Sequence, residues 1–397
     1  MRTLVLYSSY LGTSRAGYYN DWLDAFQNYS HFNVTPRNIV PPYLKVSNPS
    51  KYRNPEGVKS RWKLSPYRLF YQAYSFCYTP FLKFLMESGA MWDLSEISNY
   101  DLIVLLHSSN ADSMLALELL GNYLKNRKGK LLMFVGNEYC LIPEKIRFIN
   151  EVEVDYIASQ LPKDAAKWLY GDCSKSKFLL VPHALNDSVY KPYLENHIRQ
   201  IDIGFIGDRY SYAIGDVERT EVAEYFIKNS LHQGLSVDIR MGRKLRIPRE
   251  QYVQFLNSVR GTIGAESGTY YLEKTDKTQR KVEAFLSRYP DASFAEIYER
   301  FFKNYSNPVS GKAISSRHIE AIGTQTCQIL LKGNYNDILK PNIHYIALKK
   351  DYSNIDEVLE NFRDQEFVKE MVENTYEYVM ENHTFKHRMS DVWESVS

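Results

Sequence analysis

An arginine and a glutamate stand three residues apart in the segment SSRHIEAIG, at Arg317 and Glu320, directly after Ser315 and Ser316. Serine is a preferred N-cap residue, so we expect a helix to begin here and to run from His318 to Cys327. A helix N-terminus offers unpaired N–H groups and a positive dipole end, which together suit a diphosphate. Arg317 can then reach a phosphate, and Glu320 can accept hydrogen bonds from a diol such as a ribose. The pair indicates a nucleotide site, with a capped surface helix as the alternative.

The elements that must position this helix are indicated by short apolar runs between longer amphipathic segments. The runs include TLVLYSS, DLIVLLHSS, LLMFVGNE, FLLVPHA, DIGFIGD and GTIGAES. Uniformly apolar runs are typical of strands buried on both faces of a parallel sheet, which predicts an α/β fold. Pro182 and Pro192 lie in a polar stretch before the strand pattern resumes at Ile201. This stretch is predicted to be a linker between two domains.

Composition excludes several classes of protein. A chain of 397 residues with 44% hydrophobic residues exceeds the usual size of one core. The net charge is +2 with both signs interspersed, which argues against nucleic acid as a partner. No apolar run approaches the roughly 20 residues of a spanning helix and the first residues lack a signal-peptide pattern, so we expect a cytoplasmic protein. The four cysteines are far apart and indicate neither a zinc site nor a disulfide framework.

Three C-terminal segments together resemble a known family. SSRHIEAIGTQTCQILL is followed by NIHYIALKKDYSNIDEVLENF and then by ENHTFKHRMSDVWESV. In this order they resemble the C-terminal half of GT-B glycosyltransferases, most closely the spore-maturation (CgeB-like) and family-4-like group, over residues 201–397. FLLVPHALNDSVYKP resembles the interdomain linker of such enzymes. The resemblance implies two Rossmann-like domains facing across a cleft, with domains at 1–190 and 191–370 and a helix in 371–397 that packs back toward the first.

The resemblance also implies roles for the residues of the opening segment. Glu320 matches the glutamate that holds the donor ribose, and Ser316 with Arg317 matches the stretch beside the diphosphate, which Ser315 precedes. The sequence departs from the family pattern at Lys312, where many retaining family-4 enzymes have a glutamate. This departure leaves a retaining or an inverting outcome open.

Glycines in two turns are further donor-site candidates. GFIGDRY matches the first turn of the nucleotide domain, which places Gly207 and Arg209 near the phosphates. The N-terminal turn SSYLGTSRAGYYNDW contains Gly12 and departs from the GxGxxG pattern. We interpret it as a turn facing the cleft, because backbone close to a donor needs small residues.

The reaction that the resemblance implies is sugar transfer from a nucleotide diphosphate to a glycan, lipid-linked or protein acceptor, a hexosyltransferase activity in polysaccharide biosynthesis. No DxD signature follows a strand, so we expect no metal and no cofactor beyond the donor substrate. An inverting reaction needs a base at a strand end of the N-terminal domain, and His107 and Glu138 qualify. The alternative for each is structural: a hydrogen-bonded histidine at a helix start, and a glutamate that holds the linker.

Two rival functions stay open at this point. A nucleotide-sugar epimerase can share the two-domain fold, and a binding or scaffold protein can keep the nucleotide site without turnover. A second open question concerns Lys51–Trp92, where Lys and Arg interleave with aromatic residues. This segment is either an acceptor-side patch in peripheral contact with the inner membrane face, or a helical pair with a solvated basic face.

Overall fold

The structure is a computed structural model that describes residues 1–9, 17–29, 31–40, 79–88, 92–193, 195–242, 245–306 and 309–397. Gly12 and most of Lys51–Trp92 lie outside these ranges, so the predictions made for them stay predictions. Within the described ranges, no helix is both long and apolar enough to cross a bilayer.

Six strands of the described chain form the first sheet, with every pair of neighbours parallel. Their order in the sheet is β2-β1-β3-β4-β5-β6. The bounds are β1 Arg2–Tyr7, β2 Asn33–Asn38, β3 Leu102–Leu105, β4 Lys130–Phe134, β5 Tyr156–Ser159 and β6 Lys177–Leu180.

Five later strands form a second parallel sheet in the order β11-β10-β9-β7-β8. The bounds are β7 Ile201–Gly207, β8 Val237–Met241, β9 Val259–Gly264, β10 Cys327–Leu331 and β11 Ile346–Leu348. We call the first sheet with its helices domain 1 and the second with its helices domain 2. The two parallel sheets confirm the predicted α/β fold.

Helices connect most of the successive strands in both domains, whereas only a short 3-10 turn lies between β10 and β11. Those with bounds are α1 Gly17–Asn28, α2 Leu115–Lys125, α3 Ile142–Glu151, α4 Lys163–Leu169, α5 Glu218–Asn229, α6 Arg249–Ser258, α7 Lys277–Arg288, α8 Phe294–Ile297, α9 Ser316–Gly323, α10 Ile355–Arg363, α11 Gln365–Asn382 and α12 Phe385–Val396. Residues 79–87 are also helical. A π-helical turn, Tyr298–Phe302, continues α8, and short 3-10 turns lie at Leu94–Asn99, His107–Ser109, Asn196–Ile198, Tyr212–Ile214 and Tyr335–Asp337.

Each sheet separates two apolar cores, because successive side chains of a strand point to opposite faces. In β1, Leu4 and Leu6 lie in one core and Val5 lies in the other. In β10, Ile329 and Leu330 divide in the same way. Burial on both faces explains why the strand sequences are uniformly apolar.

The chain crosses between the domains twice, and the two crossings are hydrogen-bonded to each other. The N–H of Leu185 donates to the carbonyl of His383 at 2.8 Å, and the N–H of Phe385 donates to the carbonyl of Leu185 at 3.0 Å. Helix α11 packs on the second sheet, whereas α12 packs on the first sheet beside Trp22 of α1. Domain 1 is therefore completed by the last helix of the chain.

Candidate active site

Helix α9 begins at Ser315, which is its N-cap. Ser315 and His318 form a reciprocal capping box, in which the N–H of Ser315 donates to His318 Nδ1 at 3.0 Å. Burial lowers the pKa of His318 to about 3, so this imidazole stays neutral. The helix ends at Gly323 rather than at the predicted Cys327, because Gln325 adopts a left-handed φ of 51° and turns the chain into β10.

Glu320 is buried one turn into α9, with 6% of its surface exposed. Burial raises the pKa of Glu320 above its usual range, while the charge of Arg317 and the nearby hydroxyls of Ser316 and Tyr190 lower it. The charge of Glu320 also raises the pKa of Asp21 in α1. A carboxylate at this position can accept hydrogen bonds from a diol.

Arg317 lies between α9 and the end of β7. Its Nη1 donates to the carbonyl of Ile206, and its guanidinium lies 5.8 Å from the ring of Phe205 and 5.9 Å from that of Tyr252. The side chain is half-buried, and no carboxylate of a described residue forms an ion pair with it. The helix start and the positive charge therefore meet at the carboxyl end of β7.

A second arginine lies close by that the sequence analysis missed. Arg219, in the first turn of α5, stacks on the ring of Tyr210 at 3.9 Å and donates to the carbonyl of Asp208 at 3.3 Å. Burial lowers the pKa of Arg219, and the like charge of Arg317 lowers it further. Among the described carboxylates, none forms an ion pair with Arg219.

Two half-buried guanidinium groups thus share one region, and neither forms an ion pair with a described carboxylate, although Glu320 and Asp208 lie near enough to act on their charges. Withdrawing a cation from water is unfavourable unless an opposite charge compensates. Both arginines contact the end of β7 and the residues that follow it: Arg317 donates to the carbonyl of Ile206, and Arg219 donates to the carbonyl of Asp208. Arg317 itself lies in the first turn of α9, where the helix dipole is positive. The arrangement is suited to an anion that carries at least one formal charge, such as a diphosphate.

The other predicted donor residues are placed differently. Gly207 ends β7, and a Cβ there would lie 2.6 Å from the Phe205 ring and 3.5 Å from Arg317 Nη1, so the close approach requires glycine. Arg209 is 59% exposed and forms an ion pair with Glu224 of α5. The structure therefore turns Arg209 toward solvent, and its predicted role in phosphate binding stays a prediction.

Lys312, which stands where the resembled family has a glutamate, is buried in an ion-pair cluster. Its Nζ contacts Asp216 and lies 3.2 Å from Glu218, and only 3% of its side chain is exposed. Burial raises the pKa of Asp216, and the charge of Lys312 opposes that rise. Lys312 thus neutralises two acids of domain 2. Its charge is therefore less available to a ligand than the charges of Arg219 and Arg317.

His107 follows β3 and is 1% exposed. Its ring packs against those of Trp22 and Phe134, with centroids 5.4 and 5.3 Å away, and its Nε2 lies 2.8 Å from the side-chain nitrogen of Gln160. Burial, then the charges of His183 and Lys145, hold the pKa of His107 well below its usual range. The imidazole is therefore neutral at neutral pH, the form that a general base requires.

Glu138 is enclosed by hydrogen-bond donors. Its Oε1 accepts from Ser159 Oγ at 2.6 Å and from the Tyr170 hydroxyl at 2.8 Å, and its Oε2 accepts from the N–H of Gln160 at 2.9 Å. Burial raises its pKa, and these hydrogen bonds lower it. The carboxylate holds the end of β5 and the end of α4 in place, whereas its role as a base stays a prediction.

Ion pairs join the domains beside Glu320. Arg249, at the start of α6, donates to Asp21 at 2.8 Å and to Asp24 at 2.7 Å, both in α1 of domain 1. Asn186 of the linker donates to Asp21 at 3.0 Å. Burial, then the charge of Glu320, raises the pKa of Asp21 to about 7. The candidate donor site is therefore bounded by residues of both domains.

No group of three or more His, Cys, Asp and Glu side chains in the described part of the chain is arranged to hold a metal ion. The expectation that the reaction needs no metal stays a prediction.

No protein-family model matches the sequence, and no curated protein matches it. Solved structures match the chain along its length. HepE of Anabaena in complex with UDP has a TM-score of 0.52 at 11% identity, covering 100% of this chain and 99% of its own. A DNA-modifying β-glucosyltransferase has a TM-score of 0.51 at 10% identity, covering 99% of both chains. The UDP-forming α,α-trehalose-phosphate synthase of Burkholderia vietnamiensis has a TM-score of 0.50 at 14% identity, covering 100% of this chain and 97% of its own.

At these identities the likeness shows the fold. The chain has the two-domain GT-B fold, which confirms the fold class predicted from the sequence.

Proposed function

We propose that this chain is a glycosyltransferase that moves a hexosyl group from a nucleotide diphosphate to a glycan, lipid-linked or protein acceptor, and that it belongs to the CgeB-like or family-4-like group. The observation that carries this proposal is the pair of half-buried arginines, Arg219 and Arg317, beside the buried carboxyl of Glu320. Two arginines that form no ion pair with a described carboxylate, next to the carboxyl of Glu320, match the two ends of a ribose diphosphate. The GT-B fold supports the proposal as an analogy.

Sugar transfer requires the negative charge that builds on the leaving diphosphate to be stabilised. Fixed positive groups aimed at that charge lower the barrier more than they favour the ground state. In our proposal Arg219, Arg317 and the N–H groups at the start of α9 provide this stabilisation without a metal. Glu320 holds the ribose and thereby fixes the position of the donor.

The acceptor hydroxyl approaches from domain 1 in this proposal. His107 and Glu138 are the two candidate bases: the imidazole of His107 is neutral and its Nε2 pairs with the side-chain nitrogen of Gln160, whereas Glu138 accepts three hydrogen bonds. Peripheral membrane contact is proposed for the segment Lys51–Trp92, of which residues 79–87 are helical. Phe81 and Phe84 are 46% and 65% exposed there, which suits an interface with lipid.

We propose uracil as the base of the nucleotide donor. HepE, to which this chain is similar in fold, was solved with UDP and with UDP-glucose. A panel of UDP, GDP, CMP and dTDP sugars tests the assignment by calorimetry and by release of the free nucleotide.

The same panel separates the proposed function from its rivals. A transferase yields free nucleoside diphosphate together with a glycosylated product. An epimerase yields an isomerised sugar without an acceptor, and a scaffold binds without turnover.

Arg219→Met should weaken binding of the diphosphate, whereas Lys228→Met, at the other end of α5, should not. Equal affinity in Arg219→Met and in the unmodified chain would remove the observation on which the proposal depends.

A further inference from the structure

Lys312 lies in the segment that leads into α9, and it forms ion pairs with two acids at the start of α5. Its Nζ contacts Asp216 and lies 3.2 Å from Glu218 Oε2. Burial lowers the pKa of Lys312, but the charges of the two carboxylates raise it by more, so the ammonium stays charged. One buried side chain therefore joins the segment that leads to Arg317 to the helix that carries Arg219.

The residues on both sides of Arg219 are fixed to other parts of domain 2. Before it, the N–H of Glu218 donates to Asp216 Oδ1 at 2.8 Å. After it, Thr220 Oγ1 accepts from the N–H of Tyr210 at 3.0 Å, and the Tyr210 ring lies 3.9 Å from the Arg219 guanidinium. The direction of the guanidinium thus depends on how the first turn of α5 is held.

The segment that contains Lys312 has a defined position of its own. Its neighbour Ala313 pairs with Ser267 through two backbone hydrogen bonds of 2.8 and 2.9 Å. Close to this pairing, the Thr269 hydroxyl donates to the carbonyl of Ile214 at 2.6 Å, in the turn that precedes α5. Lys312 therefore holds the start of α5 from a backbone that is itself hydrogen-bonded in place.

Glu218 has a second basic partner, Lys350, which follows β11. Lys350 Nζ lies 2.7 Å from Glu218 Oε1, and the Tyr270 hydroxyl donates to the same oxygen at 3.0 Å. The side chain of Lys350 is 50% exposed, whereas that of Lys312 is 3% exposed. Because Lys350 comes from a different segment, its ion pair does not join α5 to the segment before α9.

We infer that Lys312 is a positioning residue that sets the placement of Arg219 relative to Arg317, and thereby the fit of the two guanidinium groups to a diphosphate. The inference rests on the proposed function, in which both arginines bind the donor. A charge-assisted hydrogen bond forms at about 2.7 to 2.9 Å, so an arginine displaced by about 1 Å no longer makes one. Lys312 is buried, and it acts through Asp216 and Glu218.

The test uses the full chain and compares its affinity for UDP with its affinity for uridine, which lacks the phosphates. Lys312→Met keeps the length of the side chain and removes the charge. We expect the dissociation constant for UDP, measured by calorimetry, to rise at least about tenfold, because charge-assisted hydrogen bonds from one arginine are lost. The dissociation constant for uridine, measured by ligand-observed NMR, should stay within about twofold, since Glu320 binds the ribose in the proposed site. An unfolded fraction would weaken both affinities by the same factor and leave their ratio unchanged.

A second variant separates placement from stability, because Lys312→Met leaves buried acids without their partner. The double variant Lys312→Met with Asp216→Asn removes the buried ion pair as a whole, and the amide oxygen can still accept from the N–H of Glu218. Replacing both members of a buried ion pair is often neutral for stability, so the melting temperature should return toward that of the unmodified chain. The loss of UDP affinity should persist. UDP affinity that recovers together with the melting temperature would overturn the inference.

Lys350→Met is the matched control, since it removes an ion pair with the same Glu218 and leaves the Lys312 contacts in place. Its ratio of UDP to uridine affinity should stay within about twofold of that of the unmodified chain. An equal loss in Lys350→Met, or an unchanged ratio in both Lys312 variants, would overturn the inference while the proposed function stands. An unmodified chain that binds UDP no more tightly than uridine would overturn the assignment of the diphosphate site, and with it both proposals.

Discussion

Replacing Glu320 with glutamine should weaken nucleotide binding and leave the unliganded protein equally stable or more stable. Burial raises the pKa of Glu320 in the folded chain above the ordinary 4.5. The stability that this group contributes is therefore present below pH 4.5 and is lost as the pH rises through its folded pKa. Above pH 4.5 burial of this carboxyl therefore opposes folding, and burial of a neutral amide of the same shape does not carry that pH-dependent cost.

The expected loss of affinity follows from the bonds to the ribose. A hydrogen bond to a charged group contributes about 1.5 to 3 kcal/mol, and glutamine keeps an acceptor oxygen but loses the charge. Because about 1.4 kcal/mol corresponds to a tenfold change, the dissociation constant for UDP should rise roughly ten- to hundredfold. Affinity and stability should thus change in different directions, which few other substitutions would produce.

Calorimetric titration with UDP and thermal melting without ligand measure the two effects. Glu360→Gln makes the same change at an exposed position of α10 and serves as the control. UDP affinity equal to that of the unmodified chain would refute the assignment of Glu320 to the ribose. A large fall in melting temperature together with lost affinity would instead identify Glu320 as a structural anchor.

Lys312→Glu, which restores the glutamate of the resembled family, should destabilise the chain by at least about 3 to 5 kcal/mol in urea unfolding, because a third buried carboxyl would face the two that Lys312 now neutralises. The free energy of unfolding of Asp21→Asn should rise relative to that of the unmodified chain between pH 3.8 and about pH 7, because folding favours the neutral form of Asp21 and that form is lost over this range. Urea unfolding at both pH values measures the difference. A difference that does not change with pH would contradict the prediction. Phe385→Ala should cost about 3 to 5 kcal/mol, because the ring is fully enclosed in the core of domain 1. The Phe385→Ala variant should retain its UDP affinity when this is measured below the melting temperature of the variant.

The sequence was sufficient to predict the α/β fold and the start of helix α9, because both depend on local chemistry. Strands buried on both faces must be uniformly apolar, and a helix N-terminus needs an oxygen such as that of Ser315. The choice between arginines could not be made in this way. Arg209 and Arg219 both follow β7 in the sequence. Arg219 stacks on the ring of Tyr210, whereas Arg209 forms an ion pair with Glu224, and these contacts depend on the tertiary structure.

The contact between the domains left even less signal. Gln160 belongs to no motif, and its hydrogen-bond partners Glu138, His107 and Asn336 are 22, 53 and 176 residues away along the chain. Residues Tyr335, Asn336 and Asp337 all have left-handed φ angles. Asparagine and aspartate adopt such angles readily, but tyrosine does not, so the sequence gives no sign of this turn at Tyr335. The buried hydrogen bonds of Tyr335 with Glu266 and Leu331 explain its conformation.

The paired crossings at Leu185 and His383 have a consequence for the order in which the protein is made on the ribosome. Domain 2 is inserted within domain 1, so its chain is complete while the first sheet still lacks α12. Until residues 385–396 emerge, Trp22 and its neighbours remain uncovered on one face of the sheet. We expect domain 2 to mature first, and domain 1 to become protease-resistant only after synthesis of α12, which follows the hydrogen-bonded crossing at Leu185 and His383.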